Sequence, residues 1–153
     1  MPIADIAYLQ AHDDPIHLEF PADTTDCASI AEVEALGGKL AQITGLSLQI
    51  DHHVQDASFL TDWAAYEELP RAEHGGSGTV LVSAVCVRFS NFGRMVAIYS
   101  ARPEKYLREP VLQRLIDFLD SRRFVYVPDA LLDTVQPRPL IFDSWQIRFF
   151  DYL

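Results

Sequence analysis

The chain carries one cluster of residue types that could bind a metal ion or exchange protons, Asp51-His52-His53 followed by Asp56. Imidazole and carboxylate groups are ligands for Zn²⁺ and Mn²⁺. Neighbouring residues of a strand point to opposite faces, so two adjacent histidines do not share one ion, whereas Asp51 and His53 can. These two residues are therefore the candidate metal ligands, and His53 is also a candidate general base.

The triplet Asp51-His52-His53 is similar to the Asp-His-His signature of a large phosphoesterase family. That family also carries an upstream His-x-Asp-x-Asp, which is missing here because His12 is followed directly by two aspartates. The resemblance covers three residues, so we assign no membership. We predict an exposed strand end with no metal and no cofactor. A metal- or His-dependent hydrolase that uses Asp51 and His53, with His74, is an alternative.

Two further features have the residue types of a catalytic site but lack its pattern. The glycine-rich segment 75–78 follows His74, yet Thr79 stands where a nucleophile elbow needs its second glycine, and no Gly-Lys-Ser/Thr follows. Cys86 lies in an apolar run, where a free thiol behaves as a small hydrophobic side chain. We therefore predict a hairpin connection and an inert core thiol, and favour a protein that is not an enzyme.

Negative charge is concentrated in the first half of the chain. Residues 1–76 hold fourteen Asp or Glu against Lys39 and Arg71, a balance of −12, whereas residues 77–153 hold eight acids against ten bases, a balance of +2. Such a field steers charged partners without selecting a fold. It argues against nucleic acid as a partner, because phosphate binding requires a basic surface.

Six carboxylates in the last third of this acidic half are the predicted binding residues. They are Asp51, Asp56, Asp62, Glu67, Glu68 and Glu73. If residues 46–69 lie on one side of a sheet, several of them converge into an acidic face that binds a basic protein. The sequence thus predicts a small acidic binding protein that neutralises or recruits a basic partner, similar to bacterial immunity proteins in acidity and size alone.

A second binding hypothesis is self-association. Six basic residues concentrate in the second half: Arg102, Lys105, Arg108, Arg114, Arg122 and Arg123. Interleaved acids, such as Glu104 four residues before Arg108, favour a solvated helix with surface ion pairs. The alternative is that this segment meets the acidic half of a second copy, which would make the protein a homo-oligomeric structural domain.

The length of 153 residues and the 49% hydrophobic content are typical of a single folded domain, here predicted over residues 1–153. The first residues have no basic segment followed by a long apolar stretch, and no run approaches about 18 apolar residues. We therefore expect a cytoplasmic protein without a membrane partner.

The hydrophobic pattern predicts an α+β fold with an antiparallel or mixed β-sheet. A central hairpin is predicted at about 79–101 from β-branched runs separated by a Ser-Asn-Phe-Gly turn. Helices at about 26–44 and 104–121 show apolar spacings of three and four, and we place both on one face of the sheet. Alternating Trp145, Ile147 and Phe149 predict a C-terminal strand at about 144–152.

Shorter segments complete the expected sheet. Alternation predicts strands at 16–20 and 46–50, and a further short strand is expected at 124–127. Residues 57–69 fit a helix or a strand, with a preference for strand because of their aromatic content. A helical turn is expected from Pro128 through Leu132.

Overall fold

A computed structural model describes residues 3–51, 54–71, 76–134 and 144–151, which form a mixed β-sheet between two layers of helices. The helices are α1 (Ile6–His12), α2 (Ile30–Glu34), α3 (Gly37–Thr44), α4 (Pro103–Tyr106), α5 (Glu109–Ser121), α6 (Asp129–Leu132) and α7 (Trp145–Phe150). The strands are β1 (Gln49–Ile50), β2 (Phe59–Pro70), β3 (Thr79–Ser90), β4 (Met95–Tyr99) and β5 (Val125–Tyr126). The predicted α+β class is confirmed.

The five strands follow one another across the sheet in chain order. β1 to β4 pair antiparallel, and β5 lies parallel to β4, so the sheet is mixed. The central hairpin predicted at 79–101 is confirmed as β3 and β4, joined through Gly93, whose φ of +56° is easily adopted by glycine. The preference for a strand at 57–69 is also confirmed, because β2 covers most of it.

The helices predicted at 26–44 and 104–121 both pack on one face, but each is interrupted. The first becomes α2 and α3, and it begins only at Ile30, because Ser29 and Glu32 form a reciprocal capping box there. The second becomes α4 and α5. Their apolar side chains meet the sheet in one buried cluster that includes Val33, Leu40, Val87, Leu115 and Leu119.

The placement of these two helices on one face is confirmed, and three further helices, α1, α6 and α7, cover the other face of the sheet. Leu9, Leu132 and Phe149 pack there against Phe92 and Met95 in a second buried cluster. These helices have between four and seven residues, too short to show a helical period in the sequence.

The C-terminal strand predicted at 144–152 is wrong, since α7 forms there. Ser144 caps the helix by accepting a hydrogen bond from the Ile147 amide at 3.4 Å. Trp145 and Phe149 then stand four residues apart on one helical face and stack at 5.4 Å between ring centroids. A spacing of four residues fits both the strand pattern and the helix pattern. Arg148, which would be a polar position of the predicted strand, is 0% exposed in the helix.

Candidate functional site

The segment between α1 and α2, residues 13–28, is rich in carboxylates, and we call it the acidic loop. It holds Asp13, Asp14, Glu19, Asp23 and Asp26 without a Lys or Arg. The strand predicted at 16–20 is wrong, because the loop contains only turns and bends. Two large apolar side chains on it are open to solvent, Ile16 at 83% and Phe20 at 53% exposure.

Arg148 of α7 binds the acidic loop through hydrogen bonds from its guanidinium group. Its Nε donates to Asp13 Oδ1 at 2.7 Å, and its two terminal nitrogens donate to the carbonyls of Asp14, His17 and Leu18 at 2.7 to 3.1 Å. The guanidinium also lies 4.2 Å from the centroid of the Phe92 ring. Because these carbonyls bind an arginine rather than a neighbouring strand, the alternating segment stays an irregular loop.

Asp14, itself a residue of the loop, stabilises the loop through its carboxylate. Its carboxylate accepts from the amides of Ala22 at 2.9 Å and of Ile16 and His17 at 3.3 Å, and it lies 2.9 Å from His17 Nδ1. The hydrogen bond from the Ala22 amide, followed by that from the His17 ring, lowers the pKa of Asp14 to about 2. The loop is therefore both tied down and negatively charged at neutral pH.

A cleft of about 470 Å³ lies on one side of the acidic loop. Its lining includes Glu19 and Phe20 of the loop, Ile30 at the start of α2, and Asp56 and Leu60. Asp56, one of the predicted binding residues, is exposed here. No Lys or Arg from the described ranges lines this cleft, so it combines apolar walls with two carboxylates.

A second cleft, of about 390 Å³, lies on the other side of the loop. Its lining includes Asp23 and Asp26 together with His12 and Cys27. Burial, and then the two aspartates, raise the pKa of the Cys27 thiol, which donates to the Asn91 carbonyl at 3.1 Å. A thiol held protonated is a poor nucleophile, so this cleft has the charge of a binding site without an activated cysteine.

The structure does not bring the six predicted binding residues together on one open face. Asp62 is 7% exposed and its carboxylate accepts two hydrogen bonds from Arg88, at 2.9 and 3.0 Å. Glu67 Oε1 accepts from Arg102 at 3.1 Å and from Lys105 at 3.0 Å. These two carboxylates are thus held by cations.

The other four predicted residues differ in position. Asp51, Asp56 and Glu68 are exposed, and Glu73 lies outside the described residues. Of the five members that the structure describes, Asp56 is the one that lines a cleft beside the acidic loop. The carboxylates of residues 13–28 were missed, although their number and the lack of any Lys or Arg between them could have identified the segment.

The residues of the hydrolase alternative are only partly described. The Asp51 carbonyl accepts a hydrogen bond from the Thr61 hydroxyl, whereas His53 and His74 lie outside the described residues. Across the described ranges, no three His, Cys, Asp or Glu side chains gather in a way that could hold a metal ion. Burial raises the pKa of Cys86 to about 12, which fits the predicted core thiol.

The helices in the described part of the chain are all too short or too polar to cross a membrane. Comparisons of the chain with protein-family models, with curated proteins and with solved structures find no match.

Proposed function

We propose that the protein is a non-enzymatic binding protein whose acidic loop and adjoining clefts bind a basic protein partner. The observation that carries this proposal is the exposure of Ile16 and Phe20 on a loop that has no Lys or Arg and that holds four carboxylates besides the buried Asp13, namely Asp14, Glu19, Asp23 and Asp26. Exposed large apolar residues on a charged rim have the composition of a protein-binding surface.

The rigidity of the loop favours binding. A loop that orders only on binding loses part of its interaction energy to that ordering, whereas a loop already held in place does not. Arg148 and Asp14 fix the backbone of the loop on both sides of Ile16. The two exposed apolar side chains are thus presented from a backbone that is already ordered.

The carboxylates determine the sign of the partner. Glu19 and Asp56 face the same cleft, and Asp23 and Asp26 line the other. Like charges at this density repel acidic proteins and speed the encounter with basic ones. A partner surface of Lys or Arg around an apolar centre would match both features.

The test is affinity capture from the native host at low ionic strength with three baits. These are the wild type, a Glu19→Lys/Asp23→Lys variant of the loop, and a Glu68→Lys variant. Glu68 is an exposed carboxylate away from the loop, so it controls for charge reversal itself. We expect one basic protein on the wild type and on Glu68→Lys, and its loss from the loop variant.

The captured protein is then purified and titrated at increasing salt. We expect the association rate to fall steeply with ionic strength, and Phe20→Ala to weaken binding by roughly tenfold, the effect of a buried aromatic anchor. Binding that is insensitive to salt and to both loop variants would refute the proposal. Loss of binding in Glu68→Lys alone would instead favour the acidic face predicted from the sequence.

A further inference from the structure

The hairpin of β2 and β3 extends beyond the rest of the sheet. β1 pairs with two residues of β2 only, and β4 pairs only with residues 86–89 of β3. Beyond these, residues 66–70 and 79–83 form a two-stranded arm. In the described ranges, no strand pairs with residues 79–82 on the side opposite β2, so this side is an open sheet edge.

Hydrogen bonds at the two ends of this edge show which peptide groups face outward. The Gly78 carbonyl accepts a hydrogen bond from the Arg71 amide at 3.0 Å, so it faces β2. The Ser83 carbonyl accepts a hydrogen bond from the amide of Ala101, two residues after β4, at 2.9 Å, so it faces the opposite side. Alternate residues of a strand direct their N–H and C=O to the same side. Thr79 and Leu81 therefore present their peptide groups outward, as Ser83 does.

The outer edge of the arm carries neither charge nor proline, and its one irregularity, a register shift between Ala65 and Tyr66 of β2, lies where the arm joins the rest of the sheet. Residues 79–83 contain no charge and no proline, and Leu81 is 61% exposed. Charged side chains, proline and bulges are the usual protection against pairing with another chain. An uncharged β-branched edge with a large exposed side chain is instead suited to strand addition.

A cleft of about 770 Å³ lies beside the same edge. Its lining includes the apolar residues Leu69, Pro70, Val80 and Ala101 and the cations Arg71 and Arg102. No Asp or Glu of the described ranges lines it. Arg102 is shared with Glu67 at 3.1 Å and with Glu104 at 3.7 Å, so among the described lining residues the exposed Arg71 is the cation best placed to meet a ligand.

We propose that the outer edge of β3 at residues 79–82 binds an extended acidic segment of another protein as an added β-strand, with an acidic side chain near Arg71. The charge of the cleft favours this partner over a second copy. Pairing of the edge with itself about a two-fold axis would place the Arg71 end of one arm beside the Arg102 end of the other. Arg71 would then meet an Arg102 that is already paired with Glu67 and Glu104, whereas an acidic segment offers Arg71 a carboxylate of its own.

The probes are acetylated and amidated heptapeptides that alternate Val and Thr and carry one Glu, Lys or Gln at each position in turn. Binding is followed by amide chemical shifts of the ¹⁵N-labelled protein. We expect shifts confined to residues 79–82 and their neighbours, slowed exchange of the Thr79 and Leu81 amides, and at least one Glu peptide that binds roughly fivefold tighter than its Lys counterpart. Equal binding of Glu and Lys peptides, or shifts elsewhere, would overturn the proposal.

Three variants locate the bound strand. Leu81→Pro removes an outward amide and should abolish binding, whereas Leu81→Thr keeps that amide and should retain it. Arg71→Glu should reverse the preference for Glu over Lys peptides, and it keeps the test decisive if Leu81→Pro does not fold. Self-association in sedimentation velocity that disappears in Leu81→Pro would show a second copy on the edge and overturn the proposal.

This surface is separate from the acidic loop and has the opposite charge. Arg71→Glu should leave the capture of a basic partner unchanged, and Glu19→Lys/Asp23→Lys should leave peptide binding unchanged. The two proposals therefore fail independently.

Discussion

Arg148 and Asp13 form an ion pair across 135 residues of sequence, with Nε and Oδ1 2.7 Å apart and side chains 0% and 4% exposed. The pair joins the last helix to the start of the acidic loop. A buried charge is tolerated only when it is paired and hydrogen-bonded. The same guanidinium satisfies loop carbonyls, so this side chain of α7 positions the loop together with Asp14.

Replacement of Arg148 by Met should destabilise the fold strongly. The variant would leave the Asp13 carboxylate buried without its cation, and several loop carbonyls without a donor. We expect a loss of about 3–5 kcal/mol in the free energy of unfolding, measured by urea denaturation. Arg148→Lys keeps the charge but lacks the planar guanidinium, so its free energy of unfolding should lie between those of the wild type and of Arg148→Met. A Met variant within about 1 kcal/mol of wild type would show that the pair is not structural.

Asp14 should make the acidic loop sensitive to acid. Its pKa falls from 3.8 to about 2 in the folded protein, so the folded state holds this proton less tightly than the unfolded state. Its contribution to stability is therefore complete above the unfolded pKa and is lost as the pH drops towards 2.

The expected result for Asp14→Asn is a flatter dependence of unfolding free energy on pH below 4 than in the wild type. Urea unfolding at several pH values between 6 and 2 measures it. Asp23→Asn is the comparison within the same loop: the hydrogen bonds from Thr25 lower the pKa of Asp23 too, but they span two residues only. Identical pH profiles for wild type and Asp14→Asn would contradict the role of Asp14.

The strongest sequence signals predicted the sheet well. β3 is a long run of β-branched residues, and burial of Val85, Val87 and Phe89 follows directly from it. The wrong predictions concern segments in which one spacing of apolar residues fits both a strand and a helix. Trp145 and Phe149 satisfy both a strand and a helix, and only the Ser144 cap and the buried Arg148 distinguish them. Such tertiary contacts are not visible in a local pattern.

The site was less predictable than the fold, for a similar reason. Asp62 and Glu67 were counted as open carboxylates, but their partners Arg88, Arg102 and Lys105 lie 26 to 38 residues away in the sequence and are brought near by the tertiary fold. The alternation of Ile16 to Phe20 suggested a strand that buries its apolar side chains. Because Arg148 takes the loop carbonyls, those side chains stay exposed.

The two thiols should react at different stages of unfolding. Burial raises the pKa of Cys86 to about 12, and burial together with nearby aspartates raises that of Cys27. Since the thiolate is the reactive form, we expect slow labelling of Cys27 by a disulfide reagent at pH 8, and labelling of Cys86 only after denaturation. Single Cys→Ser variants assign each phase. Rapid native labelling of Cys86 would contradict its buried position.

Adjacent glycines at the start of α3 offer a matched pair of substitutions. A Cβ on Gly37 would overlap the Trp63 indole, whereas a Cβ on Gly38 would meet nothing within 4 Å. Trp63 cannot easily withdraw, because its Nε1 donates to the Val33 carbonyl at 2.8 Å and fixes the ring between α2 and the sheet. We therefore expect Gly37→Ala to cost about 1–3 kcal/mol through overpacking.

Gly38→Ala should be neutral or stabilising by up to about 1 kcal/mol, since alanine favours the helix more than glycine does. Thermal and urea unfolding of both variants measure the difference, and the helix preference common to both cancels in the comparison. A Trp63→Phe background should reduce the cost of Gly37→Ala, because the smaller ring leaves room for the added methyl group. If Gly37→Ala were as stable as Gly38→Ala in both backgrounds, the close approach of α3 to the Trp63 ring would be wrong.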